Sequence, residues 1–328
     1  MPLFKLFLAA IACFAATLAQ AAGVQFITVP ADSQGPKLTG AVWTPCTVPA
    51  QEVKLRHITA SGVMHCPIVG DGLPLVVISH GKAGWFGAYH DTAETLADAG
   101  FVVAAISHPG DNAFEPSRTI VASAITRPSD IKRLIDFMLK AWPDGSKINH
   151  ERVGFFGHSA GGYTGLVIAG GRPDLQRAAD LCAKGLRPGS PPCEQYRNID
   201  IPEQTPISDP RVKAVVIADP GSTFFFGPDD LREVKVPIQL WSSALGGAGV
   251  TVESGANVDR KLPSKSDYHI VPNAGHWSFL APCSPEQAQA YPRACVDAPG
   301  FDRVAFHKQL HAEMMGFFSR YLVEGEKP

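Results

Sequence analysis

Short apolar runs alternate with segments of helical periodicity along most of the chain. The runs Leu75–Ser79, Phe101–Ile106 and Val153–Phe156 are apolar or small at consecutive positions, which is typical of strands buried on both faces of a sheet. Between them, Pro128–Trp142 places its apolar side chains on one helical face. Strands that alternate with helices predict an α/β fold, with a mostly parallel central sheet and helices on both of its faces.

The same pattern extends toward both ends of the chain. The N-terminal part carries short β-branched stretches between glycine and proline breaks, and the C-terminal part ends in a long periodic segment. The further predicted strands are Gly23–Val29, Leu38–Trp43, Glu52–Thr59, Val212–Ala218, Val236–Trp241 and Tyr268–Val271, and the further predicted helices are Tyr89–Ala99 and Val304–Leu322.

The first 21 residues have the pattern of an export signal. Lys5 precedes the apolar stretch Leu6–Leu18, and Ala19–Ala21 is a small-residue cleavage site, so we expect a secretory signal peptide cut after Ala21. The alternative is a membrane anchor, but the apolar stretch is shorter than the ~20 residues of a membrane span. We therefore predict an exported protein, periplasmic or extracellular, in which residues 22–328 form a single domain.

Composition limits the classes of partner. Without Lys5 the net charge changes from −2 to −3, and the sequence has no basic cluster of the kind that binds nucleic acid or an anionic membrane surface. The chain is 45% hydrophobic, which is enough for a large core. We expect a small-molecule substrate, no nucleic-acid partner, no stable membrane span and no cofactor; the oligomeric state stays open.

Six of the seven cysteines remain once Cys13 leaves with the leader, and an even number in an exported chain indicates disulfides. Six cysteines allow about 15 connectivities; we predict nearest-neighbour pairing because each pair brackets a loop. A metal site is the alternative, but the spacing lacks the C-x-x-C or paired-histidine pattern of zinc sites. The predicted pairs are Cys46 with Cys66, Cys182 with Cys193, and Cys283 with Cys295.

The run Gly-His-Ser-Ala-Gly-Gly at 157–162 is the most informative motif. It lies between a predicted strand and a small, apolar helical segment, and it matches the G-x-S-x-G pattern of a nucleophile elbow. Small residues are needed on either side of the nucleophile, because its backbone is strained and larger side chains would collide with neighbouring elements. We interpret Ser159 as a nucleophile.

A serine nucleophile needs a base and an acid that orients the base, and after such an elbow they follow in the order acid, then histidine. His276 comes in the loop after the predicted strand Tyr268–Val271, where the base is expected. Asp219 ends the strand Val212–Ala218 and is the favoured acid, with Glu253 as the alternative. Of the other histidines after Ser159, His269 lies within a predicted strand and is expected to be structural, and His307 and His311 lie four residues apart and are expected on a solvated helix face.

Two backbone N–H groups are expected to form the oxyanion hole, which stabilises negative charge in the transition state. One belongs to Ala160, the residue after the nucleophile, and the other to Lys82, in the loop after the strand Leu75–Ser79. His158 neighbours Ser159 in sequence, but an elbow turns its side chain away, so we expect it to have a packing role.

An ordered series of sequence blocks resembles the α/β-hydrolase superfamily, and more narrowly the dienelactone-hydrolase-like secreted esterases related to platelet-activating-factor acetylhydrolases. The resemblance implies a cofactor-independent carboxylic-ester hydrolase, with its acid at the position of Asp219. Dienelactone hydrolases proper use a cysteine nucleophile, so lactone specificity does not carry over to a chain with Ser159. The blocks are Val77–Gly81, Gly100–Ala105, His108–Asp111, Arg127–Ile131, Gly157–Gly162 and Asp209–Ala214.

One region departs from that family pattern. Residues 171–210 are rich in proline and charge, form a longer insertion than the family implies, and are placed where a cap over the site is expected. Several aromatic residues lie near the predicted site loops and are candidates for a substrate pocket for short-chain or aromatic esters. The candidates are Trp85, Phe86, Phe224 and Trp277.

Other functions remain compatible with the same motif. A phospholipase or acetylhydrolase acting on lipids is one alternative, and a peptidase or amidase is another. A non-catalytic binding protein with this fold is the least favoured, because all three triad positions are filled.

Overall fold

The computed structural model describes residues 21–184 and 207–326, and in this part of the chain one mixed sheet has ten strands. The spatial order is β10-β9-β8-β7-β5-β6-β2-β1-β4-β3. The strands are β1 (Ala21–Val29), β2 (Leu38–Cys46), β3 (Gln51–Leu55), β4 (Ile58–Met64), β5 (Leu73–Ser79), β6 (Val102–Ser107), β7 (Ile148–His158), β8 (Val212–Ala218), β9 (Ile238–Ser243) and β10 (Asp267–Val271).

The sheet has a parallel part and an N-terminal part of mixed direction. The six strands from β10 to β6 run parallel, whereas β2 pairs antiparallel with both β6 and β1. Helices cover both faces, which confirms the predicted α/β architecture. The helices are α1 (His90–Asp98), α2 (Ile120–Lys140), α3 (Ala160–Ile168), α4 (Leu175–Ala183), α5 (Val252–Lys261), α6 (Pro285–Ala290), α7 (Pro292–Cys295) and α8 (Arg303–Phe318).

Two core layers result, because successive residues of a strand point to opposite faces. On one face, Val77 of β5 belongs to the same apolar cluster as Ile131 of α2 and Leu166 of α3. On the other face, its neighbour Val76 belongs to a cluster with Leu310 of α8. This two-sided burial explains why the central strands are apolar at consecutive positions.

The predicted strand Glu52–Thr59 is wrong, because the chain turns back in the middle of it. Residues Gln51–Leu55 and Ile58–Met64 form an antiparallel hairpin across Arg56 and His57. Arg56 has a left-handed backbone with φ 54°, at a position without the glycine or asparagine that normally marks such a turn.

Helix α2 begins eight residues before Pro128, the residue from which the sequence predicted its start. Thr119 caps the helix by accepting the N–H of Ala122 at 3.1 Å. Proline inside a helix leaves the carbonyl four residues earlier without its usual donor, and here that carbonyl, of Ala124, accepts the hydroxyl of Tyr163 at 3.4 Å. Tertiary contact therefore supports a helix that the sequence alone interrupts.

Two of the three predicted cysteine pairs are joined in the structure, Cys46 to Cys66 and Cys283 to Cys295. Cys182 lies on α4, and its predicted partner Cys193 is outside the described residues, as are most of the predicted signal peptide and much of the 171–210 insertion. Within 21–184 and 207–326, no helix combines the length and apolar character that a bilayer span requires.

Candidate active site

The carboxyl ends of neighbouring parallel strands bring the predicted site residues together. Ser159 follows β7 and Asp219 follows β8, while Lys82 and His276 lie in the loops after β5 and β10. Groups beyond the carboxyl ends of parallel strands share one edge of the sheet. Positions as far apart in sequence as Lys82 and His276 therefore meet in one place.

Ser159 sits on a strained turn between β7 and α3. Its backbone has φ 56° and ψ −117°, a conformation costly for a residue with a side chain. A Cβ on Gly161 would lie 1.9 Å from the carbonyl oxygen of Ser79, and one on Gly157 would lie 2.2 Å from that of Gly161. Both glycines are therefore required for the close approach of strand, turn and helix.

Ser159, His276 and Asp219 form a continuous hydrogen-bonded chain. The Nε2 of His276 is 3.0 Å from Oγ of Ser159, and its Nδ1 is 2.9 Å from Oδ2 of Asp219. Asp219 is fully buried and also accepts the backbone N–H and hydroxyl of Ser243, at 2.7 and 2.6 Å. Because an ionised carboxylate only accepts, Nδ1 of His276 carries the proton and Nε2 is free to accept from the serine.

The alternative acid, Glu253, lies elsewhere. It sits in the first turn of α5, its side chain is 61% exposed, and it pairs with Arg260. The geometry therefore places Asp219, the acid that the sequence favoured, beside His276.

The two predicted oxyanion donors, Lys82 and Ala160, line the same cavity as Ser159. Ala160 is the first residue of α3, where the N–H groups have no partner within the helix. In the ranges the structure describes, neither backbone N–H donates to a protein acceptor. The helix dipole adds a positive end at the same point.

A buried ion pair supports the loop that carries Lys82. The guanidinium of Arg127 contacts the carbonyl oxygens of His80 and Gly81, and its Nε is 2.8 Å from Oδ2 of Asp111. Burial alone would raise the pKa of Asp111, but the positive charges of Arg127 and Lys82 outweigh it and lower that pKa to about 2. Sequence reasoning gave neither Arg127 nor Asp111 a role, although both stand in the family blocks.

A cavity of about 200 Å³ opens beside Ser159. Of the four aromatic candidates, Phe224 lines it, but Trp85, Phe86 and Trp277 do not. Trp85 and Phe86 pack against each other with ring centroids 5.0 Å apart, and Arg293 lies 4.9 Å above the ring of Trp277. An aromatic residue close in sequence to a site loop therefore need not point its ring into the cavity. The other lining residues include Ile120, Ala124, Tyr163, Ser222 and Val250.

The expectation of a solvated face for His307 and His311 is wrong, because α8 packs this face against α1. Both histidines are over nine-tenths buried, and with Asp91 they form a cluster whose ligand atoms lie close together. Nδ1 of His307 is 2.6 Å from Oδ2 of Asp91, a direct hydrogen bond that leaves no room for an ion needing about 2.0–2.1 Å to each ligand. We interpret the cluster as structural.

Comparisons with known proteins agree with this architecture. A family model described as "Serine aminopeptidase, S33" matches residues 73–198. The structure is similar to a ferulic acid esterase from Streptomyces cinnamoneus, with a TM-score of 0.60 and 17% sequence identity over 96% of this chain and 93% of that chain. Curated proteins give no significant match.

The matched family segment contains β5 and the whole elbow around Ser159, whereas Asp219 and His276 lie beyond it. The structural likeness extends over the remaining strands and shows that they share the same fold. The chain therefore has the α/β-hydrolase fold, and the segment that contains its elbow matches a hydrolase family model.

Proposed function

We propose that this protein is an exported serine carboxylic-ester hydrolase that acts through an acyl-enzyme. The observation that carries the proposal is the hydrogen-bonded chain from Ser159 Oγ through His276 to Asp219, with spacings of 3.0 and 2.9 Å. Such an arrangement activates a hydroxyl that is otherwise a weak nucleophile at neutral pH.

In the first step, Oγ of Ser159 attacks the ester carbonyl while its proton passes to Nε2 of His276. The carbonyl electron pair becomes an oxyanion, which accepts hydrogen bonds from the backbone N–H groups of Lys82 and Ala160. Collapse of this intermediate breaks the bond to the alcohol oxygen, and the alcohol leaves with the proton from His276. Asp219 stabilises the imidazolium throughout and stays ionised.

In the second step, water takes the place of the alcohol. His276 removes a proton from the water as it attacks the acyl carbon, and the same two N–H groups hold the second oxyanion. Collapse breaks the bond to Ser159 Oγ, which recovers its proton from His276, and the carboxylic acid is released. The cycle consumes one ester and one water, and needs no cofactor.

The cavity supports short-chain or aromatic esters as the substrate class. Its walls carry Phe224 and Tyr163 beside aliphatic residues, and the structural neighbour is a ferulic acid esterase. Within the superfamily, the motif blocks favour the dienelactone-hydrolase-like secreted esterases. The two disulfides support export, because such bonds persist in oxidising compartments.

Peptidase or amidase activity is the second candidate, since the matching family model is described as a serine aminopeptidase. The same triad serves both reactions, because acyl transfer differs mainly in the leaving group. The substrate panel below separates the two.

The test measures hydrolysis of p-nitrophenyl esters from acetate to palmitate, methyl ferulate and aminoacyl p-nitroanilides. We expect ester hydrolysis, best with short or aromatic acyl groups, and a loss of kcat of about 10⁴-fold or more in Ser159→Ala. Ser146→Ala, at an exposed serine, is the matched control and should match the unmodified protein. Turnover of anilides alone would favour the peptidase, and activity retained in Ser159→Ala would refute the assignment of the nucleophile.

A further inference from the structure

Two buried imidazoles hold the turn that carries His276. Nε2 of His158 is 2.9 Å from the carbonyl oxygen of His276, and Nε2 of His307 is 2.9 Å from the carbonyl oxygen of Ser278. Carbonyl oxygens only accept hydrogen bonds, so each ring carries a proton on Nε2. The turn His276–Phe279 is thus held at two of its carbonyl groups. The ring from β7 holds the first, and the ring from α8 holds the one two residues later.

The second nitrogen of His158 has a partner that selects the same tautomer. Its Nδ1 is 2.8 Å from the hydroxyl oxygen of Tyr89. A neutral ring with its proton on Nε2 accepts at Nδ1, so the Tyr89 hydroxyl donates. The oxygen of Tyr89 in turn lies 3.4 Å from the N–H of Gly81, which completes a chain of matched donors and acceptors.

This chain connects the two halves of the candidate active site. Gly81 precedes Lys82, whose N–H is an oxyanion donor, and the chain ends on the backbone of His276, the base. The rings of His158 and His276 are in contact, with centroids 4.5 Å apart and planes tilted by 36°. His158 is 2% exposed, so water does not compete for either of its hydrogen bonds.

Burial lowers the pKa of His158 well below its ordinary value, and the neighbouring His276 lowers it further. The ring that supports the base therefore stays neutral when the base takes up a proton. A cation at this distance would oppose the imidazolium on which the reaction depends.

We propose that His158 is a positioning residue for His276, holding the base within hydrogen-bond distance of Ser159, and that Tyr89 fixes the tautomer of His158 that does so. The inference rests on the proposed function. It replaces the packing role that the sequence predicted for His158, and it makes the histidine of Gly-His-Ser-Ala-Gly a functional part of the elbow.

The test compares three variants on the preferred ester. His158→Phe keeps a ring but removes the donor, and we expect kcat to fall about 10²-fold with KM unchanged, because small displacements of a reacting group cost this much. His158→Gln restores a donor near the Nε2 position and should recover part of the loss. Tyr89→Phe removes one buried hydrogen bond and should lower kcat about tenfold. Unfolding temperatures of all variants exclude loss of fold as the cause.

His269→Phe is the matched control, because this histidine stacks on the ring of Trp241 and has no part in the proposed reaction, so we expect kcat to be unchanged. If His158→Phe keeps kcat within twofold while Ser159→Ala loses activity, the positioning role is refuted and the proposed function stands. If His158→Gln is no more active than His158→Phe, the hydrogen bond to His276 is not the cause and the role is likewise refuted.

A second measurement needs no turnover, so it separates this proposal from the proposed function. The proton between His276 Nδ1 and Asp219 gives a downfield resonance in the NMR spectrum. We expect that signal in the unmodified protein and in His269→Phe, and expect it to be lost in His158→Phe. The ¹⁵N spectrum should also show the Nε2–H tautomer of His158 becoming mixed in Tyr89→Phe. Persistence of the downfield signal in His158→Phe, or an Nδ1–H tautomer in the unmodified protein, would overturn the proposal.

Discussion

The two sides of Ser159 are supported in opposite ways. On the oxyanion side, a buried ion pair between Arg127 and Asp111 braces the loop of Lys82. On the base side, the ring in contact with His276 is His158, whose pKa is lowered by burial. The more remote His307 is hydrogen-bonded to the carboxylate of Asp91.

The difference follows from the charge that each side meets during the proposed reaction. The oxyanion is negative, so a guanidinium behind its donors does not oppose it. The base becomes positive, so a cation beside it would penalise the step that activates the nucleophile. A charged side chain can therefore support the oxyanion donors, whereas the base is better supported by a neutral ring that donates a hydrogen bond.

The largest loss of kcat is expected from a change at the contact between His276 and Asp219. Asp219→Asn keeps the shape of the side chain but removes the charge that fixes the tautomer of His276 and stabilises the imidazolium. We expect kcat to fall about 10⁴-fold, measured on the preferred p-nitrophenyl ester. Glu253→Gln is the control at the alternative acid and should leave kcat unchanged. If Glu253→Gln carried the loss instead, the assignment of the acid would be wrong.

Loss of the ion pair on the oxyanion side is expected to lower both the stability of the protein and its kcat. Arg127→Met leaves the carboxylate of Asp111 buried without its main partner, and breaking such a pair costs about 3–5 kcal/mol of unfolding free energy. Displacement of the Lys82 loop should also lower kcat by about 10²-fold. Denaturant unfolding and ester kinetics measure the two effects. Arg127→Met combined with Asp111→Leu should recover much of the stability but not the activity; equal recovery of both would contradict a bracing role.

Acid should weaken both sides, because each holds a carboxylate with a lowered pKa, buried at Asp111 and partly buried at Asp91. Asp111 is shifted from 3.8 to about 2, and Asp91, held by His307 against the cost of its own burial, is also lowered to about 2. A depressed pKa contributes stability that is present above pH 4 and is lost as the pH falls through 2, about 2 kcal/mol for each group.

Unfolding free energies measured between pH 5 and pH 2 test this expectation. The drop should be smaller in Asp111→Asn and in Asp91→Asn than in the unmodified protein. An acid dependence that neither substitution changes would show that other carboxylates govern it.

The smallest effect is expected for the side chain of Lys82. Its backbone N–H is the proposed oxyanion donor, whereas its ammonium is partly exposed and 3.5 Å from Asp111, and such pairs contribute about 0–1 kcal/mol. Lys82→Met should therefore change kcat by about twofold or less on the ester panel. A much larger loss would mean that the ammonium itself binds substrate.

Local signals in the sequence were enough for the elbow and for the order of its partners. Periodicity and glycine placement are properties of short segments, and they were enough to indicate three features. These are the need for small residues at Gly157 and Gly161, the helix after Ser159, and the strand ends before Asp219 and His276. The hairpin at Arg56 was missed because no turn residue marks it. The start of α2 was missed because Tyr163, distant in sequence, compensates for Pro128.

What the sequence determined by itself was the α/β architecture, the candidate nucleophile, base and acid, and the spacing of the cysteine pairs. Only the tertiary structure decided which side chains support that site. Arg127 reaches the oxyanion loop from α2, and Tyr89 reaches His158 from the turn before α1, while α8 buries His307 against α1. Contacts of this kind join residues far apart in sequence, and burial changes the charge and tautomer of each group. No local pattern encodes either, because both depend on what surrounds the side chain once the chain has folded.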